Sequence, residues 1–573
     1  MCWTELQRHP LRVSGKNVLP GKVIGMLRIK ALSVAILGGL AGAVLPAVGA
    51  PAADTGDPDV FRFHAGDDRA AAMTIDAAGN IYIGGSIDTG AEISFAVTKL
   101  SPTGTVSWTA FYNGSLSGVD GSALAVAVDA TGNVYAAGSI NDTDFYPNVD
   151  YLVVAFDSSG NQRWAQRFNG PGDGFDRATE IAVDGSGAVY VSGSSYTPSP
   201  SFTFDWSTHK YSPAGDLLWE RRHLGNDTFA DRVADLVVAP DGNVVVTGIT
   251  RNAENEWAED VATVKYDPNG NVVWQRQWND TPPGSNSPRD MEIDSAGRIT
   301  ITGTIGLFPP SPVTLRYDSS GTLLQTVREV GGSSVHVTES DEFYLAGFPA
   351  QPDDPFLALY NASGSRIWAS PITVGDDETY FSTIVRADSA GAITTAGTIR
   401  NVLTHNDDYL VIRFDPDGRE LWRYRFNGSF DRDDRVAALA IDSGDNAVVT
   451  GTSWNGYQSE GGTSNDIVTL RFTAGTVPPL LAPSELSATG TSSSQIRLSW
   501  TDNAGTEDGF RIERCRDISC SDFALIATVG HDVTTFTDGG LSRNTKYSYR
   551  VQAFNSGAVS DYSNVATGKT RQR

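Results

Sequence analysis

The sequence has few of the residues that usually carry redox or metal chemistry. Its 573 residues include only 3 cysteines and 7 histidines, and the histidines are scattered. It lacks the H-E-x-x-H pattern of zinc hydrolases and the G-x-S-x-G turn of serine hydrolases. Acidic pairs such as Asp353–Asp354 could suggest paired carboxylates for glycoside cleavage, but they are expected by chance in so acidic a chain. We therefore expect no catalytic constellation, no metal site and no cofactor.

Positive charge is also scarce. The chain has 43 Lys and Arg residues against 68 Asp and Glu residues, which gives a formal net charge of −25. Such a surface repels nucleic acid and anionic lipid and favours solubility. We therefore expect no nucleic-acid partner and a monomeric protein.

Long apolar runs are confined to the beginning of the chain. Arg28 and Lys30 precede an apolar run over 31–50 that ends in small residues, a pattern typical of a secretory signal. We interpret residues 1–50 as a leader with a signal peptide, with Met26 as a candidate true start. An uncleaved membrane anchor is the alternative. After cleavage we expect no stable membrane insertion, and a secreted, extracellular or cell-envelope location.

What the sequence has in abundance is a repeat. The turn pattern D-x-x-G-x-x-Y/V-x-x-G occurs in eight copies, and each copy predicts four short strands, as in residues 151–195. A unit of this size cannot bury both faces of its sheet alone, so the copies must pack on one another. The copies end at Gly85, Gly138, Gly193, Gly248, Gly303, Gly347, Gly397 and Gly451.

A tryptophan marks the predicted fourth strand of most copies. Gln325 replaces it in the fifth copy, and the eighth copy has no such strand. We interpret these residues as structural wedges between neighbouring units: Trp108, Trp164, Trp219, Trp274, Trp368 and Trp422.

The strand that the eighth copy lacks is predicted at the other end of the repeats. Residues 60–66 precede the first turn as a fourth strand precedes the later turns, so we expect this segment to complete the last unit. The resulting fold prediction for 59–472 is an all-β, eight-bladed, four-stranded β-propeller, closed by an N-terminal strand without a free sheet edge.

These motifs resemble the bacterial beta-propeller (SBBP) repeat family, whose pattern joins D-S-S-G-N-x-x-W to I-A-V-D-S-S-G-N-V-Y-V-T-G. The resemblance covers roughly residues 59–472 and implies an extracellular or envelope propeller. It implies no single activity.

A different module follows a Pro-bearing linker over 473–481. Residues 482–570 resemble a fibronectin type III domain, a β-sandwich in which Trp500 would be the core tryptophan and Leu541 with Tyr547 would form the tyrosine corner. Within it, Cys515 and Cys520 lie across a predicted hairpin. An exported protein meets an oxidising compartment, so we expect the two cysteines to form a disulfide. We expect no metal site from two cysteines without a histidine partner.

The variable loops are the predicted binding face, because a rigid scaffold with variable loops is the usual arrangement. Their aromatic residues lie beside Asp and Asn, which suits sugars and protein partners equally. The alternative is that most of these aromatics hold their own loops in place. The candidate ligand-binding residues are Tyr146, Tyr196, Trp206, Trp257, Trp454 and Tyr457.

Charged pairs also repeat at this face. A functional interpretation makes them a charged collar that could hold a cation, whereas the structural interpretation makes them bridges between units. We favour the bridges. The pairs are Asp68–Arg69, Asp176–Arg177, Asp231–Arg232 and Asp434–Arg435, with Asp150, Asp205, Asp260, Asp408 and Asp466 before the third strands.

The sequence therefore predicts a secreted, non-enzymatic binding or adhesion scaffold whose loop face takes extracellular carbohydrate or protein. The alternatives are an extracellular polysaccharide-degrading enzyme and an envelope assembly protein.

Overall fold

Strands are the only regular secondary structure of the described residues. The computed structural model describes residues 58–572 except 64–65, 90–92, 113–120, 142–148, 173, 199–202, 224–230, 252–258, 280–284, 307–310, 348–355, 373, 375–377, 403, 429–431, 460–461, 477–479, 505–506, 518–521, 531–532 and 556–558. None of these residues belongs to a helix that is long and apolar enough to cross a membrane.

Sheets 1 to 4 each consist of four consecutive antiparallel strands. Sheet 1 contains β2 (Arg69–Ile75), β3 (Ile81–Asp88), β4 (Ile93–Leu100) and β5 (Val106–Phe111); sheet 2 contains β6 (Gly121–Val128), β7 (Val134–Asn141), β8 (Val149–Phe156) and β9 (Gln162–Phe168). Sheet 3 contains β10 (Asp176–Val183), β11 (Val189–Thr197), β12 (Thr203–Tyr211) and β13 (Leu217–His223); sheet 4 contains β14 (Arg232–Val238), β15 (Val244–Arg251), β16 (Glu259–Tyr266) and β17 (Val272–Trp278).

Sheets 5 to 7 repeat this order, and sheet 8 takes its fourth strand from the beginning of the described chain. Sheet 5 contains β18 (Asn286–Ile293), β19 (Ile299–Ile305), β20 (Ser311–Tyr317) and β21 (Leu323–Val327); sheet 6 contains β22 (Gly332–Val337), β23 (Phe343–Gly347), β24 (Leu357–Tyr360) and β25 (Arg366–Ser370). Sheet 7 contains β26 (Glu378–Ala387), β27 (Ile393–Asn401), β28 (Asp407–Phe414) and β29 (Glu420–Phe426); sheet 8 contains β30 (Asp434–Ile441), β31 (Ala447–Ser459), β32 (Gly462–Phe472) and β1 (Asp59–Phe63).

The repeated turn has a local explanation, seen clearly at Asp129. Its carboxylate accepts hydrogen bonds from the backbone N–H groups of Thr131 (2.9 Å) and Asn133 (3.0 Å) and from the hydroxyl of Tyr135 (3.0 Å). Although burial opposes it, this hydrogen bonding lowers the pKa of Asp129 to about 2. Gly132 completes the turn at φ 82°, in the region that favours glycine.

In seven of the eight repeats the last glycine lies at a β-bulge between the first and second strands; in sheet 7 the register shift lies beside Gly397, opposite Thr398 and Ile399. A Cβ at Gly85 would lie 2.0 Å from the carbonyl oxygen of Arg69 on the neighbouring strand. The β2–β3 register shifts at that point, between Ala70 and Ala72. The side chain is excluded because the two backbones approach too closely.

The repeated tryptophans connect each sheet to the next. Trp219 of sheet 3 donates its indole N–H to the carbonyl oxygen of Pro268 in sheet 4, at 3.1 Å, and its ring covers Gly270. Gln325, which replaces the tryptophan in sheet 5, donates to the carbonyl of Gly364 at 2.6 Å. Equivalent indole N–H bonds to the next sheet are made by Trp108, Trp164, Trp274 and Trp368.

Apolar clusters lie between neighbouring sheets throughout this succession. One cluster joins sheets 1 and 2 around Tyr82 and Phe156, and another joins sheets 7 and 8 around Trp422 and Phe472. Sheet 8 also shares a cluster with sheet 1, and β2 packs against β30 as well as against β6. Side-chain packing therefore holds each sheet to its neighbours.

The predicted fold class needs correction. Backbone hydrogen bonds form separate four-stranded antiparallel sheets, and no sheet among the described residues closes on itself. Within the described residues, the fourth strand of each sheet pairs on one side only, contrary to the expectation of a propeller without free edges. The structure supports an all-β class of separate sheets, and the single eight-bladed propeller is not retained. The expected pairing of the N-terminal strand is present, since β1 lies antiparallel to β32.

The outer edges carry the feature that commonly protects an edge strand. A bulge shifts the register where the fourth strand begins, as between Lys210 and Tyr211 opposite β13. Leu218 lies at this bulge and is 54% exposed, directly before the buried Trp219.

The last part of the chain forms two further sheets. One contains β33 (Ser484–Gly490), β34 (Ile496–Thr501) and β37 (Thr535–Asp538); the other contains β35 (Gly509–Arg516), β36 (Ala524–Gly530), β38 (Lys546–Phe554), β39 (Val559–Tyr562) and β40 (Ala566–Lys569). Trp500 lies in their common core, and the Tyr547 hydroxyl accepts a hydrogen bond from the Ser542 N–H at 3.0 Å. The expected core tryptophan and tyrosine corner are therefore both present.

The contact between sheets 3 and 4 makes a testable prediction. Trp219→Ala removes a buried aromatic side chain and its hydrogen bond to Pro268, so we expect the free energy of unfolding to fall by about 3–5 kcal/mol. Urea unfolding of the purified protein measures it. Leu218→Ala is the matched control, because that exposed side chain should contribute less than about 0.5 kcal/mol. Equal effects of the two variants would contradict the assigned contact.

Candidate functional site

Two of the predicted ligand-binding aromatics are described and half-buried. Tyr196 packs edge-on against Phe204, with ring centroids 5.8 Å apart, and its ring lies over Gly172 and Gly174. Trp454 stands under the guanidinium of Arg432, which lies 5.5 Å from the ring centroid. Both aromatics therefore contact the segments around them, and their role in ligand binding stays a prediction.

Trp206 is not at the surface. It is 1% exposed, and its indole N–H donates to the carbonyl of Ile249 in the next sheet, at 3.1 Å. A side chain buried between two sheets cannot present its ring to a ligand. Trp206 is therefore corrected from a candidate binding residue to a packing residue.

The remaining candidates lie outside what the structure describes. Tyr146, Trp257 and Cys520 fall in the gaps, so the disulfide between Cys515 and Cys520 stays a prediction. Only the backbone of Tyr457 is described, and it is not in a loop as expected. β31 and β32 continue as a hairpin that pairs Ser459 with Gly462.

The aspartates that open the first strands are buried hydrogen-bond acceptors. Asp176 accepts from the N–H groups of Gly170 (2.8 Å) and Tyr196 (3.0 Å), and Asp434 accepts from Gly428 at 2.6 Å. Burial raises the pKa of Asp434 to about 7. These carboxylates hold neighbouring loop backbones together, which favours the structural interpretation over a cation collar.

The aspartates that precede the third strands are engaged within their own sheets. Asp150 lies 2.7 Å from a guanidinium nitrogen of Arg167 in the fourth strand, and Asp205 lies 3.3 Å from Arg222 in the same arrangement. The pairing joins two strands of one sheet, whereas Arg435 reaches Asp407 of the preceding sheet at 2.7 Å. The repeated charges thus serve contacts within and between sheets.

The candidate site is instead a group of carboxylates on consecutive first strands, which we call the carboxylate row: Glu180 of β10, Asp235 of β14 and Asp290 of β18. Each directly follows the bulge of its strand. Each also stands at the same distance in sequence before the last glycine of its repeat. Alignment of the eight copies on those glycines would have revealed it, because sheets 1, 2 and 8 have alanine there.

Hydrogen bonds link the carboxylate row to the following sheets. Asp235 accepts from the N–H of Met291 at 2.7 Å, and the same N–H lies 3.0 Å from Asp290. Asp290 in turn accepts from the hydroxyl of Ser334 (2.7 Å) and the N–H of Val335 (2.9 Å) in sheet 6. The carboxylates of Asp235 and Asp290 therefore share the N–H of Met291, and both side chains are half-buried.

The electrostatics of the row favour protonated carboxyl groups. Burial, and then the charges of Asp235 and Asp290, raise the pKa of Glu180 well above its ordinary value. Burial and the charge of Asp290 raise the pKa of Asp235 in the same way. Adjacent half-buried carboxylates cannot all ionise without cost, so the row holds protons at pH values where exposed carboxylates are ionised.

Counter-charges lie at one end of the row. Glu292 lies 3.3 Å from Nδ1 of His336 and 3.7 Å from the guanidinium of Arg386. Although burial opposes it, the hydrogen bond to His336 and the charge of Arg386 lower the pKa of Glu292. The charge thus changes along the first strands, from carboxyl groups that retain protons to an ionised carboxylate beside Arg386.

Such a row can donate or accept protons, the chemistry that paired carboxylates provide. It is not arranged as a metal centre: in the part of the chain with assigned coordinates, no three His, Cys, Asp or Glu side chains are placed to hold an ion.

Comparison with known proteins identifies one module. The fibronectin type III domain family model matches residues 481–569. No curated protein matches the chain. The findings give no support for the resemblance of 59–472 to bacterial propeller repeats. The chain thus carries a fibronectin type III domain, a module typical of extracellular-type binding and scaffold proteins.

Solved structures are similar to a small part of the chain. An Fn3-like protein from Clostridium thermocellum is 28% identical over 16% of this chain and 93% of its own, with a TM-score of 0.14. The FN5 domain of Drosophila Lar is 25% identical over 16% and 98%, with a TM-score of 0.14. Titin kinase with its flanking domains is 19% identical over 16%, at a TM-score of 0.15, and the match spans only 17% of that structure.

The carboxylate row predicts an unusual pH dependence. Glu180 has a raised pKa in the folded state, so its stabilising contribution is full below the unfolded pKa near 4.5 and is lost as pH rises toward the folded value. Glu180→Gln should therefore raise the free energy of unfolding at pH 8, by on the order of 1 kcal/mol, and change little at pH 4.

Glu292→Gln is the matched comparison, because its lowered pKa gives the opposite sign. Loss of the ionised partner of His336 and Arg386 should lower stability at pH 8. Chemical unfolding at both pH values measures the two effects. If both variants shifted stability in the same direction at pH 8, the assigned electrostatics would be wrong.

Proposed function

We propose that this protein is a secreted, non-enzymatic binding scaffold whose loop face binds extracellular carbohydrate or protein. The fibronectin type III module over 481–569 supports a binding or scaffold role of the extracellular type. The leader proposed for residues 1–50 supports export.

One observation carries the non-enzymatic part of this proposal: the repeated polar side chains are used within the molecule. Asp176 and Asp434 accept backbone N–H groups, Asp150 and Asp205 pair with arginines, and Asp129 closes its own turn. The repeated residues therefore stabilise the scaffold, and the variable loops are left as the part that binds a ligand. Of the predicted binding aromatics, Tyr196 of β11 and Trp454 of β31 are described and half-buried.

A polysaccharide-degrading enzyme is the second candidate, and the carboxylate row is the observation that favours it. Glu180 and Asp235 have raised pKa values, as a general acid requires. Against it, Asp235 accepts two backbone N–H groups, at 2.6 and 2.7 Å, so that carboxylate has a structural task already.

The test measures retention and cleavage together. The purified protein is incubated with a panel of soluble and insoluble polysaccharides, and bound protein and new reducing ends are followed over time. We expect retention on at least one polysaccharide without new ends, and at least a tenfold loss of affinity in Tyr196→Ala or Trp454→Ala. Leu218→Ala is the control, because Leu218 is exposed at the outer strand of sheet 3.

If new reducing ends form with the wild type but not with Glu180→Gln, the non-enzymatic proposal is wrong and the polysaccharide-degrading enzyme is supported. Absence of both signals would exclude carbohydrate and direct the search to a protein partner, including an envelope assembly role. If retention is unchanged in both Tyr196→Ala and Trp454→Ala, the binding site lies elsewhere on the molecule.

A further inference from the structure

In two pairs of neighbouring sheets, an aspartate fills the space between the turns that join the first and second strands. Asp341 of sheet 6 accepts from the N–H (2.9 Å) and the hydroxyl (2.8 Å) of Ser295 in sheet 5. Asp445 of sheet 8 accepts from the same groups of Ser389 in sheet 7, at 2.9 and 2.7 Å. Both aspartates have a positive φ, 63° and 62°, at the turn position that is usually glycine.

Arginines of the preceding sheet lie near each of these aspartates. Arg298 lies 3.4 Å from Asp341, and the third-strand residues Arg316 and Arg413 pair with Asp294 and Asp388 of the turns that contain Ser295 and Ser389. Hydrogen bonds from Ser295, and then the charges of Arg298 and Arg316, lower the pKa of Asp341. Hydrogen bonds from Ser389 and the charge of Arg413 lower the pKa of Asp445. The space between two turns is thus built to receive a carboxylate, with a backbone N–H and a hydroxyl as its hydrogen-bond donors and an arginine charge nearby.

Between sheets 1 and 2 the same space lacks its carboxylate. Gly132, at φ 82°, occupies the position of Asp341 and Asp445, and Ala77 occupies the position of the two serines. Lys99 is the third-strand cation. A cavity of about 460 Å³ lies here, lined by Ala77, Lys99 and Gly132 together with Asp76, Tyr82, Asp129 and Ser158.

Neither the turn N–H nor the third-strand cation of this place has a protein hydrogen-bond partner in the part of the chain that the structure describes. Among the described residues, no acceptor bonds to the N–H of Ala77. The ammonium of Lys99 lies 5.1 Å from the centroid of the Tyr82 ring. No described residue forms a hydrogen bond or an ion pair with it. Its counterparts are engaged: Lys210 donates to the carbonyl of Pro268 at 3.0 Å, and Lys265 to Asp241 at 2.7 Å.

We propose that this cavity binds a small molecule through its carboxylate, in the place that Asp341 and Asp445 occupy in their own pairs of sheets. The carboxylate would accept from the N–H of Ala77 and pair with Lys99. Asp76 and Asp129 do not compete for these groups, because the oxygens of each accept hydrogen bonds from its own turn. The volume accommodates a short carbon chain beyond the carboxylate. This site is separate from the loop face and does not depend on the proposed function.

The test uses butyrate as the probe and butyramide as its uncharged match. We expect butyrate to raise the midpoint of thermal unfolding of the purified protein in a saturable way, and butyramide to have no effect. Lys99→Met should reduce the apparent affinity for butyrate at least tenfold. Equal effects of butyrate and butyramide would overturn the proposal.

Gly132→Asp supplies the missing carboxylate from the chain itself. We expect this variant to have a higher unfolding midpoint than the wild type and no further response to butyrate. Gly187→Asp is the control at the same turn position in sheet 3, because the preceding sheet has Ala155 in place of the cation. It should gain no stability and keep the butyrate response. A butyrate response that survives in both Lys99→Met and Gly132→Asp would overturn the site; if Gly132→Asp does not fold, Lys99→Met decides alone.

Discussion

The eight sheets of residues 59–472 depend on one contact, the indole of a fourth-strand tryptophan placed over a glycine in the next sheet. The ring needs a surface without a side chain, and the indole N–H needs a carbonyl at the same place. Trp219 has both in Gly270 and Pro268. The contact can repeat because most of the eight sheets present both halves, a tryptophan on the last strand and a glycine turn before it. Where Gln325 replaces the ring, the hydrogen bond to Gly364 persists without the aromatic surface.

Much of this organisation could be predicted from the sequence, because it arises from local rules. The turn around Asp129 needs an acceptor, a residue with positive φ and an aromatic hydroxyl at fixed spacings, and the sequence contains all three. The fibronectin type III module was predicted for the same reason, since Trp500 and Tyr547 occupy diagnostic positions. The pairing of the N-terminal strand followed from the missing strand of the last unit.

The parts that could not be predicted depend on which way a side chain faces and on how sheets meet. Trp206 looked like a loop aromatic because it lies one residue after an aspartate in a polar segment, yet that position points between two sheets. The fold class was wrong because a sequence repeat does not reveal whether backbone bonds or side chains join the units. The carboxylate row was missed because Glu180, Asp235 and Asp290 are unremarkable one at a time and become a group only across three sheets.

The pairing of β1 with β32 also constrains the order in which this protein can fold. A ribosome makes Asp59–Phe63 before any of the eight turns, but the partner strand Gly462–Phe472 is made only after all of them. Bringing such distant segments together has a large entropic cost, which must be met before the contact can stabilise anything. The first strand must therefore wait, unpaired, until the whole succession exists. For a chain that we propose is exported, this delay keeps the last sheet incomplete while the polypeptide is still being translocated across a membrane.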